Sequence, residues 1–185
     1  MCTSSIPYFK EIIVMAFTCD ECGAHSTEVK TGGAISEKGK KITLKVEDED
    51  DLKRDLYKSD SAYLCIPELE LELEYGTLGG VYTTVEGLVE KIHSHLKGNN
   101  PYYMGDSNQE SFKSKINTFF IRLEGLRDMK EKFTIIIDDP LDNSFIQNPF
   151  YPKEDLKIVF ITLYQRLLKF MKGMMNRMMN LDSNT

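Results

Sequence analysis

The sequence predicts a mainly β fold that carries an α-helical hairpin, and three observations make the prediction. Apolar and polar residues alternate strictly through Lys41–Glu47 and again through Glu68–Glu74 within Cys65–Tyr75, the period of half-buried strands. Between the strand-like segments lie two stretches with apolar residues at three- and four-residue spacing, each opened by a capping-box pattern. Near the N-terminus an apolar run enters Cys19-Asp-Glu-Cys22, a tight turn on which two thiolates can converge on one ion.

That turn is the usual half of a tetrahedral zinc site, since zinc takes four Cys or His ligands. Gly23 follows it and supplies the positive φ that knuckle turns need. The rest of the ligand set is not evident. Cys65 stands alone downstream, and His25, three residues past Cys22, is too close to close the site while the turn also closes. Cys19 and Cys22 are therefore expected to be metal ligands in an incomplete zinc site. The redox alternative needs a Cys pair that opens a helix after a strand, and Gly23-Ala24-His25-Ser26-Thr27 is a poor helix start.

The totals bound the function. At 185 residues, 41% hydrophobic and 28% charged, the chain can bury one core and carry a small appendage. Its 23 basic and 29 acidic residues leave −6, the wrong sign for a bulk attraction to phosphate backbones, so nucleic acid is a poor first guess. No run approaches the roughly 18 apolar residues of a membrane span. Four cysteines (Cys2, Cys19, Cys22, Cys65) are too few and too scattered for a disulfide framework, which fits the cytosol or nucleus.

In chain order, residues 6 to 18 read as a strand entering the Cys turn, and Ser26–Lys30 as a polar strand leaving it toward Gly32-Gly33. Ile42, Leu44 and Val46 mark the buried face of the next strand. Residues 47–60, rich in charge, read as a solvated loop or short helix with Leu52 and Leu56 at helical spacing. In Cys65–Tyr75, Leu69, Leu71 and Leu73 are expected to face the core, while Glu68, Glu70, Glu72 and Glu74 line the other face of one strand. Such a row of like charges suits a solvated edge or a surface for a basic partner.

Thr83-x-x-Glu86 then opens a helix with its stripe at Val85, Leu88, Val89, Ile92 and Leu96, and Gly98 stops it. Ser107-x-x-Glu110 opens a second, with Phe112, Ile116, Phe119, Phe120, Leu123 and Leu126. Two such helices joined by a polar loop predict an antiparallel hairpin over about residues 84–130. Phe133–Ile137 reads as a buried strand closed by a turn at Asp138-Asp139-Pro140, with Asp142, Asn143 and Ser144 extending it. Asp138, Asp139, Asn143 and Ser144 expose acceptors there and form a second candidate partner surface. From Leu156 the character changes, and Tyr164, Leu167, Leu168, Met171, Met175 and Met178 form one helical stripe.

Catalytic patterns are weak. His93 and His95 lie two apart, roughly 200° around a helix, and cannot share a metal as an i, i+4 pair would. They are expected to be exposed helix residues. The Ile-Ile-Ile-Asp-Asp-Pro segment has no phosphate-binding Gly-x-x-x-x-Gly-Lys-Ser/Thr partner anywhere in the chain, so the turn reading explains it. No Ser-His-Asp or Cys-His set declares itself.

Taken as strings, IPYFKEIIVMAFTCDECG, EVKTGGAI, ITLKVEDEDDLKRDLYKSDSA, IPELELELE, LGGVYTTVEGL, MGDSN and IIIDDPLDNSFIQN resemble the eukaryotic ZPR-type zinc-finger proteins over about residues 3–152. The resemblance implies tandem modules, each a four-cysteine zinc ribbon followed by a double-stranded β-helix with a helical hairpin, and this chain resembles the second module. It places Cys19 and Cys22 as the second ligand pair of the ribbon. It implies residues 1–30 as a partial zinc ribbon, 31–152 as a double-stranded β-helix with its hairpin insertion, and 153–185 as a divergent Met-rich helical tail. It also implies a protein that binds translation elongation factor one-alpha, helps that GTPase fold, moves between cytoplasm and nucleus, and has links to receptor tyrosine kinases.

Two departures stand out. The first Cys pair of the ribbon would lie upstream of Met1, and Cys2 is not in a ligand position. The Tyr-x-Arg-Thr ending is replaced by IVFITLYQRLLKFMKGMMNRMMN. A missing first module or upstream ribbon half, and a misread end, are therefore expected. The competing functions are a metal-dependent or small-molecule enzyme on the β-helix fold and a nucleic-acid-binding zinc ribbon.

Overall fold

The computed structural model describes residues 2–5, 9–32, 36, 38–98 and 110–163. The N-terminal apolar run folds as a three-stranded antiparallel sheet of β1 (Cys2–Ser5), β2 (Glu11–Thr18) and β3 (His25–Thr31), with β2 in the centre. The body follows. Its strands are β4 (Gly39–Val46), β5 (Asp55–Lys58), β6 (Tyr63–Ile66), β7 (Leu71–Leu73), β8 (Val81–Thr84), β9 (Phe133–Asp139), β10 (Phe145–Ile146) and β11 (Ile158–Leu163). They form a five-stranded sheet, β11-β4-β9-β6-β7, and a three-stranded one, β10-β5-β8, antiparallel throughout.

The two sheets share one core. Ile42, Leu44 and Val46 of β4, Leu64 and Ile66 of β6, and Ile135 and Ile137 of β9 pack with Leu56 of β5 and Ile146 of β10 in one buried cluster. This is the double-stranded β-helix, or jelly roll. The helical hairpin closes onto the same core. Helices α2 (Val85–Gly98) and α3 (Glu110–Arg127) bury Val85, Leu88, Val89, Ile92, Leu123 and Leu126 there. Arg127 meets Glu90 at 2.9 Å and His93 meets Glu124 at 3.4 Å, so the helices run antiparallel. His93 is thus half-buried in the helix–helix seam, edge-on to Phe120, rather than exposed. The first helix is capped one residue later than its pattern suggests, by Thr84, whose hydroxyl accepts the Gly87 N–H at 3.1 Å. Ser107, proposed to cap the second, lies outside the described residues.

Three segments depart from the sequence reading. Cys65–Tyr75 is not one strand. Pro67, lacking an N–H, starts a 3-10 turn (Pro67–Leu69), and Glu70 closes it at φ 52° before β7 folds back on β6. In residues 47–60 the short helix is present as α1 (Glu49–Leu52), capped by Asp48, but it leads straight into β5, which places Leu56 in a strand rather than on the helix. Residues 158–163, assigned to a helical tail, form β11 along β4 instead, because Ile158-Val-Phe-Ile-Thr-Leu is a β-branched and aromatic run. The Met stripe from Tyr164 onward lies outside the described residues.

The small sheet is seated on the body. Ile12 of β2 and Val29 of β3 pack on Tyr57 of β5, with Phe9 stacked on Phe145 at 5.0 Å between centroids. The Tyr57 hydroxyl donates to the Val29 carbonyl at 3.0 Å. Gly80 makes that approach possible, since a Cβ there would fall 1.9 Å from the Val29 oxygen. Gly80→Ala is therefore expected to lift the small sheet from its seat. Limited proteolysis should cut faster between β3 and β4, while the body keeps its own cooperative transition. An unchanged cleavage rate would show that the seat has slack.

Candidate metal centre

The Cys turn joins β2 to β3 at the outer tip of the small sheet. The Gly23 N–H donates to the Cys19 carbonyl at 2.8 Å and the Cys19 N–H to the Ala24 carbonyl at 2.8 Å, which closes a tight knuckle with Gly23 at φ 69°. The Cys19 thiol is held below its ordinary pKa by the Cys22 backbone N–H first, then by the Cys22 side chain and the Glu21 N–H. N–H donors aimed at a sulfur favour its thiolate, the form that ligates metal. Both cysteines are free thiols. The pair fits one half of a zinc tetrahedron.

The described residues contain no group of three or more Cys, His, Asp and Glu placed to hold an ion. His25 is turned to its neighbours, its ring nitrogens 3.0 Å from the Thr18 hydroxyl and 3.3 Å from that of Thr27. Cys65 lies in β6 of the body. Cys2 pairs with Val14, five residues from Cys19 along β2 and so roughly 16 Å from the knuckle. Because β1 is antiparallel to β2, its upstream direction leads toward Thr18 and the knuckle.

The two acidic candidates are built differently from the sequence reading. Leu69, Leu71 and Leu73 are buried as expected, but Glu68 sits in the 3-10 turn and Glu70 at the left-handed residue after it. Glu72 lies beside Tyr63 and Cys65 on the outer sheet face. There burial, and then the Glu72 charge, push the Cys65 thiol up. Glu70, Glu72 and Glu74 are exposed, though not as one row.

Asp138 and Asp139 belong to β9 rather than to a turn, and Asp139 is fully buried. One Asp139 oxygen accepts from the Ser59 hydroxyl at 2.7 Å, the Ser144 hydroxyl at 2.6 Å and the Asn143 N–H at 3.0 Å. The other accepts from the Ser61 hydroxyl and the Leu141 N–H, both at 3.0 Å. Ser144 is also buried, and Asp138 nearly so. Asn143 takes the Lys10 ammonium at 3.1 Å. These residues form an internal hub that shapes the loop after β9 and ties it to the small sheet. Asp139 and Ser144 are thus buried rather than exposed as the sequence suggests.

Two buried cations went unread in the sequence. Arg54 lies between Asp51 and Asp155, all three buried, with the Lys157 ammonium on Asp51 at 2.7 Å and on Asp48 at 2.6 Å. Lys58 is fully buried, donating to the Ser59 and Thr77 carbonyls at 3.0 and 3.1 Å, and burial pushes its pKa down to about 8. A charge-rich run hides both, because spacing does not show which charges the fold desolvates.

Comparison with known proteins follows the two-part geometry. Residues 1–37 match the family model of the ZPR1 zinc-finger domain, and residues 50–169 that of the ZPR1 jelly-roll domain. The chain is 47% identical over 150 residues to the zinc finger chaperone zpr1 of Schizosaccharomyces pombe, covering 81% of this chain and 33% of that protein. It is 40% identical over 166 residues to zinc finger protein ZPR1 of Bos taurus, covering 90% and 36%. An uncharacterised ZPR1-like protein of Methanocaldococcus jannaschii is 32% identical over 142 residues, covering 76% and 69%. The chain thus spans about a third of the length of these eukaryotic relatives.

Proposed function

We propose, from the premise that this chain belongs to the ZPR1 zinc-finger family, that it is a non-enzymatic module which binds a client protein and assists its folding. The client we assign is the translation elongation factor one-alpha GTPase, met in the cytoplasm and nucleus. The observation that carries the reading is the preorganised knuckle of Cys19 and Cys22 on a seated zinc-finger sheet. The fission yeast relative is named a chaperone, which supports a protein client. The jelly-roll body supports binding over catalysis. Its core cluster is apolar, and its buried polar groups Asp139, Lys58 and Arg54 are engaged with internal partners. A net charge of −6 weighs against nucleic acid.

Cys19 and Cys22 would hold the zinc, which cross-links the ribbon and takes no part in bond making. Two further ligands would complete the tetrahedron, and the upstream end of β1 points toward the knuckle. This chain by itself is therefore expected to purify with well under one zinc per chain by elemental analysis. A full equivalent that survives chelation would overturn the half-site.

The client reading is tested by surface binding to the purified elongation factor, with Glu70→Gln plus Glu72→Gln as the comparison. Exposed charges are screened over about 8 Å at physiological salt, so the variant should associate more slowly at low salt with little change in unfolding midpoint. No binding by the unaltered chain or by a two-module relative would reject the client. Unchanged rates for the variant would remove these glutamates from the contact.

A further inference from the structure

We propose that the outer edge of β11 pairs with the same edge of a second copy of this chain. The five-stranded sheet ends at β11, and among the described residues no strand pairs with its far side. The Lys45 N–H donates to the Lys157 carbonyl at 2.9 Å, which fixes the phase of the ladder: residues 157, 159, 161 and 163 direct their main-chain groups at β4. Phe160 and Thr162 therefore direct both N–H and C=O outward, and Ile158 its C=O.

Such an edge is a template for another strand, and proteins usually blunt it with charge, proline or a bulge. Ile158-Val-Phe-Ile-Thr-Leu163 carries no charge and no proline, and its pairing with β4 runs without a bulge. It is also self-complementary. An antiparallel pair centred on Phe160 lets the two Phe160 residues exchange N–H···O=C bonds, and each Thr162 N–H reach the other copy's Ile158 carbonyl. Val159 then faces Ile161, apolar against apolar, with no like charges opposed.

The same edge is accompanied by exposed apolar side chains. On β11 and the segment leading into it, Phe150 is 59% exposed, Tyr151 56%, Leu156 93%, Val159 47%, Phe160 53% and Ile161 45%. At about 200 Å² for a fully exposed large side chain, these residues expose on the order of 700 Å² per copy, an upper limit on what they could bury and below the roughly 800 Å² per partner of a standard interface. Tyr151, Leu156 and Phe160 also line an open groove of about 870 Å³ beside the edge. The pairing uses each edge once and so closes as a two-fold dimer.

The test is sedimentation velocity on the full chain over a wide concentration series at low and high salt. A monomer–dimer equilibrium is expected, with dimer favoured by salt because two chains of −6 repel. Thr162→Pro removes only an N–H that points away from β4, so it should leave the unfolding transition in place and shift the protein to monomer. Phe160→Lys, which sets two cations at the dyad, should do the same. A monomer at every concentration overturns the proposal. So does a dimer that both variants leave intact, or assembly that grows beyond two copies.

Discussion

Asp139→Ala is expected to lower the stability of the body by about 3–5 kcal/mol, the sum of a few unsatisfied buried donors after partial relaxation. The carboxylate is fully buried and accepts from three serine hydroxyls and two backbone N–H groups. Removing it orphans those donors inside the protein, and each unsatisfied buried donor costs about 1–3 kcal/mol before relaxation. Asn is a poor rescue. One of its two positions becomes an NH₂, which must face the Leu141 or the Asn143 N–H, donor against donor. Ser59→Ala should be far milder, about 1 kcal/mol, because four donors stay satisfied. Since domains have only about 5–15 kcal/mol to lose, Asp139→Ala should move the urea midpoint by a large fraction. A loss under about 1 kcal/mol would mean that water replaces the carboxylate and the hub is not buried in solution.

What the sequence revealed and what it hid differ in range. Ile42, Leu44 and Val46 were legible because a strand period needs only neighbours, and they lie buried in β4. The Cys19–Cys22 knuckle was legible because the turn is made by the six residues Cys19–Ala24 themselves. The acidic segment shows a subtler case. Leu69, Leu71 and Leu73 keep an even spacing across the break at Glu70, so their burial was predictable while the hairpin was not. The Asp139 hub was out of reach, since Ser59 and Ser61 come from about eighty residues away. β11 was hidden by its neighbour, because the helical stripe starting at Tyr164 drew Ile158–Leu163 into the same reading.

A response to acid should come from the run that looked most solvated. Arg54 lies between Asp51 and Asp155, its Nε donating to Asp51 Oδ1 at 2.9 Å, while Lys157 holds the other Asp51 oxygen at 2.7 Å. The network pins α1, the start of β5 and the residues before β11 together. Arg54→Met should cost about 3–5 kcal/mol, because two buried carboxylates lose their shared cation. Burial pulls the Asp51 pKa upward, yet the Lys157, Glu47 and Arg54 hydrogen bonds hold it below its ordinary value. The Lys157 hydrogen bond also holds Asp48 low. A carboxylate with a depressed folded pKa stabilises fully above its unfolded value of about 3.9 and loses that contribution as pH falls through the folded one. Stability of the unaltered chain should therefore be level near neutrality and fall steeply below about pH 4. Asp51→Asn should be less stable at pH 7 but fall less steeply in acid, its curve converging on that of the unaltered chain. Midpoints of urea unfolding between neutral and acid pH measure both slopes, and parallel curves would show that Asp51 does not carry the acid response.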